Sequence, residues 1–243
     1  MALAARPAGA RIVPLGDRAL IIEVGDRIAP DVNRRARAIA EALLAAPPSG
    51  VTDVVPAFAT VGVHFLPEAV EGESTGELPL DRLMRVLQPY LARADDVVED
   101  VPRTVELPIC YGGEYGPDLA EVATACGVSE GDVAALHAAS SHFVYMLGFA
   151  PGHPYIGGLD KRLTMPRRTT PRVRLPRGTV AIALEMTAIY PLDSPGGWNA
   201  IGRTPLPLFV LEKDPPCLLQ PGDRVRFVPI TPAEYRAIEE SGG

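Results

Sequence analysis

The chain has 243 residues, 47% of them hydrophobic, and a formal net charge of -7 at pH 7. That length suits one large domain or two small ones, and the acidic balance argues against a general nucleic-acid binder, whose affinity rests on a basic surface field. The longest apolar runs, such as Ala19-Leu20-Ile21-Ile22, are too short to cross a bilayer; the three cysteines, Cys110, Cys126 and Cys217, lie far apart without a CxxC spacing, so a reducing, cytoplasmic compartment is expected.

Met1 to Ala10 reads as a frayed start. Arg11 to Val24 predicts strand, broken by a turn at Leu15-Gly16-Asp17. Val32 to Leu44 predicts a helix with Val32, Ala36, Ile39 or Ala40, and Leu43 on its buried side, ended by Pro47-Pro48-Ser49-Gly50. Val51 to Val55 and Phe58 to Leu66 are strand-like, the second with Ala59, Val61, Val63 and Phe65 on one face. After an exposed acidic loop, Glu68 to Glu77, a second helix runs from Leu80 to Leu91 on Leu80, Leu83, Met84 and Leu87. This β-α-β-β-α order gives a ferredoxin-like α/β sandwich once another strand closes it. The polar stretch Ala92 to Pro102 marks a domain boundary, giving domains over 1–100 and 101–243.

Beyond it, Val105 to Cys110 predicts a strand, Pro117 the first turn of a helix over Asp118 to Cys126, and Ser129 with Asp132 the cap of another helix. That helix is expected to reach about Leu147, burying Val133, Leu136, Ser140, Val144 and Leu147. On it His137 and His142 point about 140° apart, wrong for shared metal ligation, and no metal is expected. Short β runs come next at Arg172 to Leu175, Gly178 to Leu184, Leu206 to Leu211 and Arg224 to Val228. Many short strands joined by Pro- and Gly-rich turns predict a closed or rolled antiparallel sheet.

The chemistry-bearing segments lie in the second half. Gly148 to Gly158 leaves the predicted helix through prolines and glycines that fix the backbone; it serves as a structural crossover or as a ligand-lining loop presenting His153 and Tyr155. Residues 161–177 carry seven basic side chains and no acidic one. There Arg167, Arg168, Arg172 and Arg174, set between prolines, form either a small-anion site, since a guanidinium binds carboxylate or phosphate bidentately, or a solvated loop pairing with acidic groups. Pro195-Gly196-Gly197 can expose amides as an anion nest, with Asn199 and Arg203 as nearby donors. Trp198, directly after it, is a core residue or a ligand platform. The sequence holds no GxxxxGK[ST] phosphate loop, GxSxG elbow or HExxH segment.

Taken together, Tyr111-Gly112-Gly113 with Gly116-Pro117-Asp118-Leu119, then LGFAPGHPYIGGL, PRRTTPRVRLPRG and IYPLDSPGGWNAIGRTPLPLF, make the chain resemble the family of the 5-oxoprolinase B subunit, also described as allophanate hydrolase subunit 1 and as a kinase A inhibitor family. The resemblance runs from Gly16-Asp17-Arg18 to Pro221-Gly222-Asp223. It implies an α+β protein, an N-terminal ferredoxin-like α/β sandwich followed by a cyclophilin-like β-barrel domain. It also implies a homologous second partner (the 5-oxoprolinase C subunit, or allophanate hydrolase subunit 2), a third partner (the A subunit), and ATP with Mg used by the complex. The implied reaction turns 5-oxoproline, ATP and water into glutamate, ADP and phosphate, or is a related urea amidolyase-type step. The alternative it implies is a regulatory, catalytically inactive protein like a histidine kinase inhibitor.

On this reading Arg167, Arg168, Arg172, Tyr190, Gly196, Gly197, Trp198, Asn199, Arg203, His153 and Tyr155 bind substrate, and no catalytic nucleophile or base is assigned. The chain departs from the family where His153 replaces a usual Phe. It departs again where Leu184 and Met186 replace a glycine-rich segment and a glutamine, which points to altered substrate choice or lost activity.

Overall fold

The computed structural model describes residues 9–72, 76–95 and 102–241. Most of the expected frayed start at Met1 to Ala10, part of the acidic loop and most of the boundary stretch lie outside them. The chain divides into two compact units, Met1–Asp100 and Val101–Gly243. Among the described residues no helix is long and apolar enough to cross a membrane.

The first unit contains β1 (Arg11–Pro14), β2 (Ala19–Glu23), α1 (Pro30–Ala45), β3 (Val51–Pro56), β4 (Thr60–Phe65) and α2 (Pro79–Leu91). Pro30 and Pro79 start the two helices, where a missing N–H costs no intrahelical bond. The sheet order is β1-β2-β4-β3, antiparallel throughout, so β2 and β3 run parallel on either side of β4. The strand that completes this sheet is β1, which precedes the helices. Alternation along β4 sends Val61, Val63 and Phe65 into a core shared with Ala36, Ile39 and Leu43 of α1 and Leu83 and Leu87 of α2.

The second unit contains β5 (Thr104–Tyr111), α3 (Leu119–Cys126), α4 (Glu130–Ala139), β6 (His142–Leu147), β7 (Pro154–Gly157), β8 (Arg172–Leu175), β9 (Thr179–Ala183) and β10 (Met186–Ile189). It continues with β11 (Ser194–Gly196), β12 (Asn199–Arg203), β13 (Arg224–Pro229) and α5 (Pro232–Glu240). Seven of these strands close a barrel in the order β10-β7-β6-β13-β5-β12-β9. The seam between β9 and β10 is an antiparallel pair, and β13 and β5 form the one parallel pair among the barrel's neighbours. The protein is therefore α+β, with a closed seven-stranded barrel in its second unit.

Period-two alternation gives β9, β10 and β12 two different faces. Val180, Ile182, Ile189 and Ile201 join the barrel core with Leu107, Ile109 and Phe227. Ala181, Ala183, Ala188 and Ala200 join a second cluster with Leu175, Tyr190 and Trp198. Outside the barrel, β8 and β11 form a separate two-stranded sheet.

Three expectations are corrected. The helix capped by the Ser129–Asp132 box ends at Ala139 rather than near Leu147. The next element is β6, whose aromatic and β-branched run His142-Phe143-Val144-Tyr145 suits a pleated surface better than a helix. In consequence His137 and His142 do not diverge along one helix; their rings lie 4.7 Å apart between centroids. His137 Nδ1 meets Tyr111 OH at 2.7 Å and its Nε2 meets Thr187 Oγ1 at 3.1 Å, while His142 Nε2 donates to the His137 carbonyl at 2.8 Å. Burial holds the His137 pKa well below the usual imidazole value, with His142 adding to the effect. Finally, Leu206 to Leu211 is no strand: it contributes only an isolated bridge between Phe209 and Cys217.

Candidate functional site

The second cluster has a floor of small residues and a wall of aromatic ones, and two connections build the wall. Between β6 and β7 the chain turns tightly: Gly148 N donates to the His153 carbonyl and His153 N to the Ala150 carbonyl, both at 3.0 Å. Phe149 takes a left-handed φ of 74° to close this turn. At Gly152, with φ 75°, a Cβ would stand 2.9 Å from the Leu208 carbonyl oxygen, so only glycine fits. The turn fixes His153, which is 3% exposed and has ring centroids 5.3 Å from Phe149, 5.2 Å from Tyr155 and 5.2 Å from Tyr190. Burial drives its pKa down to about 4, and its Nδ1 is buried without a hydrogen-bond partner.

The second connection runs from Tyr190 to Trp198. The Trp198 amide hydrogen-bonds the Tyr190 hydroxyl, and a Cβ on Gly196 would collide with that hydroxyl and lie 2.7 Å from Leu175 Cδ1. Burial, with Tyr155 adding, pushes the Tyr190 pKa up to about 12 against the opposing influence of Arg167 and the Trp198 amide. The Trp198 ring lies 6.2 Å from that of Tyr155. The Arg167 guanidinium sits over Trp198 at 5.9 Å from the ring centroid.

The remaining arginines differ from Arg167. Asp118, just before α3, is almost wholly buried; its side chain makes no cap bond to α3. Its carboxylate instead accepts from the Ala200 amide at 2.8 Å, from Arg168 Nη1 at 3.0 Å, and from Arg172 through Nε at 3.4 Å and through a shorter Nη2 contact. Arg168 also donates to Glu121 at 2.8 Å; this bond chiefly raises the Arg168 pKa, burial opposes it and Asp118 adds to it. Arg167 makes no ion pair with a described residue.

The other predicted residues separate in the same way. Asn199 donates to the Pro166 carbonyl at 2.9 Å and the Ile182 carbonyl at 3.1 Å, tying the arginine loop to β9. Gly197 binds the same loop, its carbonyl accepting from Arg168 N at 2.7 Å. Arg203 belongs elsewhere: its guanidinium lies 5.7 Å from the Tyr115 ring centroid and hydrogen-bonds Tyr235 of α5. The structure thus brings His153, Tyr155, Tyr190, Trp198 and Arg167 together and places Arg203 in another cluster. Asp118 and Glu121 are absent from the residues that sequence reasoning selects. The signal for Asp118 is an acidic residue after Pro117, which reads first as a helix cap.

Leu184 and Met186 edge this face. Leu184 occupies the β9–β10 hairpin at φ 55°, 56% exposed, bridged to Met165. A left-handed leucine marks a turn where glycine would be unstrained. Met186 packs, partly buried, against the aromatic cluster.

Comparison with known proteins gives the family. Residues 10–219 match the family described as carboxyltransferase domain, subdomain C and D. The 5-oxoprolinase B subunit of Bacillus subtilis (strain 168) is 40% identical over 238 residues, which are 95% of this chain and 97% of that protein. A crystal structure of TTHA0988 superposes with a TM-score of 0.73 at 39% identity over 88% of this chain, which spans 40% of that chain's length. The urea amidolyase of K. lactis superposes with a TM-score of 0.75 at 21% identity over 98% of this chain and 16% of its own, a likeness of fold. The chain belongs to the family of the 5-oxoprolinase B subunit and allophanate hydrolase subunit 1, whose members are amidohydrolase subunits.

Proposed function

We propose that this chain is the B subunit of an ATP-dependent 5-oxoprolinase and that its aromatic face holds the substrate. The carrying observation is the guanidinium of Arg167, which makes no ion pair with a described residue, over Trp198, beside His153, Tyr155 and Tyr190. A flat lactam ring lies against Trp198, and its carboxylate reaches Arg167 for a charge-assisted bond. Arg168, Arg172, Asn199, Gly196 and Gly197 shape this face from behind by holding the loop that carries Arg167. Arg203 acts at a distance, by fixing α5.

The groups that could cradle a triphosphate are engaged within the chain: the Arg168 and Arg172 guanidiniums by Asp118, the Arg168 amide by the Gly197 carbonyl, and the Trp198 amide by Tyr190. We therefore assign ATP and its Mg to a partner and reserve this face for the lactam. The homologous C subunit, with the A subunit, completes the complex in the cytoplasm; exposed Phe149, Val173 and Leu184 suit burial by such a partner. In this reading residues 1–100 form a ferredoxin-like domain, supported by the β2-α1-β3 unit split by β4, and residues 101–243 a cyclophilin-like barrel.

The test is to reconstitute the three-component complex and measure ATP hydrolysis dependent on 5-oxoproline. Arg167→Ala should raise KM for 5-oxoproline roughly tenfold or more, the loss of one charge-assisted pair. An unchanged KM in that variant rejects the placement.

A further inference from the structure

The fold leaves hydrogen-bonding capacity unused at His153. The imidazole is 3% exposed, and its Nδ1 is buried with no protein partner, a condition that costs free energy. Apolar packing gives no reason for an imidazole here, because its ring neighbours Phe149, Tyr155 and Tyr190 would suit a phenyl group equally. Burial keeps the ring neutral at neutral pH, so the unpartnered Nδ1 can stand as an acceptor. An amide N–H meets that acceptor, whereas a carboxylate offers only acceptors.

Among the ring's neighbours Phe149 is the exposed one. Phe149 lies against it, is 69% exposed, and holds φ 74°, a conformation that stores strain in a non-glycine residue. Access to the imidazole from this side therefore requires Phe149 to shift.

We propose that His153 is a specificity-determining residue of this face: its imidazole hydrogen-bonds the substrate amide and selects an uncharged amide over a carboxylate at that position. The proposal rests on the assignment of substrate to the Trp198 face.

The chain has a single tryptophan, so Trp198 emission reports this face directly. The full-length chain is titrated with 2-pyrrolidinone, a lactam without a carboxylate, and with cyclopentanecarboxylate, which keeps ring and carboxylate but has no amide. His153→Phe should weaken 2-pyrrolidinone roughly tenfold, while His153→Gln, which keeps a donor and an acceptor, stays within about threefold of the parent. Cyclopentanecarboxylate should bind both variants as it binds the parent, which also shows that they are folded. Equal 2-pyrrolidinone affinity in His153→Phe, or a His153→Gln no better than His153→Phe, overturns the role of His153 and leaves the substrate face standing. If neither compound changes the parent's Trp198 emission, both are overturned.

Discussion

The arginine loop and the aromatic face share Trp198 and the turn before it, yet they solve opposite problems. In the loop, two guanidiniums converge on one buried carboxylate that ties the start of α3 to β8 and β12. On the face, Arg167 makes no ion pair with a described residue and His153 Nδ1 is buried without a partner among the described residues. Arginine density in a sequence therefore says little about anion binding until the acidic partners are placed; here Arg167 is the neighbour without an ion pair to a described residue, and the proposed function rests on it.

The sharpest break in this contrast is Asp118→Ala, which strips the carboxylate from two arginines and orphans the Ala200 amide. It should cost about 3 kcal/mol of stability, the usual result of breaking a buried pair one-sidedly, and urea denaturation measures it. A loss below about 1 kcal/mol would mean that solvent already screens the brace.

The aromatic half predicts a pH dependence of similar size. The His153 pKa falls from 6.5 to about 4 in the fold, so below pH 6.5 the unfolded chain takes up a proton that the folded chain refuses. Its contribution is complete above pH 6.5, declines as pH falls toward about 4, and is constant below that. At about 1.4 kcal/mol per unit the decline approaches roughly 3 kcal/mol. His137 and His142 titrate in the same direction, so the measured quantity is the difference between parent and His153→Phe, which should narrow or reverse in favour of the variant on acidification.

Gly196→Ala should cost about 1–3 kcal/mol, because its Cβ meets the Tyr190 hydroxyl and Leu175, and should shift Trp198 emission. The smallest effect is expected from Leu184→Gly: relieving φ 55° at an exposed turn should stabilise by about 0.5–1 kcal/mol in thermal or urea unfolding.

Where a segment's pattern has a single period, the sequence is a sufficient guide. Val32, Ala36, Ile39 and Leu43 of α1 and Val61, Val63 and Phe65 of β4 are buried as their spacing requires, and the Ser129–Asp132 box starts α4 where expected. Pattern fails where that period changes without a proline or glycine to mark it, at Ser140-Ser141, so β6 merges with α4 in the sequence. The same slip parts His137 from His142, whose rings the turn between α4 and β6 brings together. The members of the face are legible as types, from His153 to Trp198. Their division is not: Asp118 lies 50 positions from Arg168 and 54 from Arg172 in sequence, and no local pattern links them.

The central claim is that Arg167 binds and Arg172 braces. The most direct test is to measure KM for 5-oxoproline and the urea midpoint side by side for Arg167→Ala and Arg172→Ala in the reconstituted complex. A raised KM with an unchanged midpoint is expected for Arg167→Ala, and a lowered midpoint with a nearly parental KM for Arg172→Ala. The reverse pattern would contradict the claim.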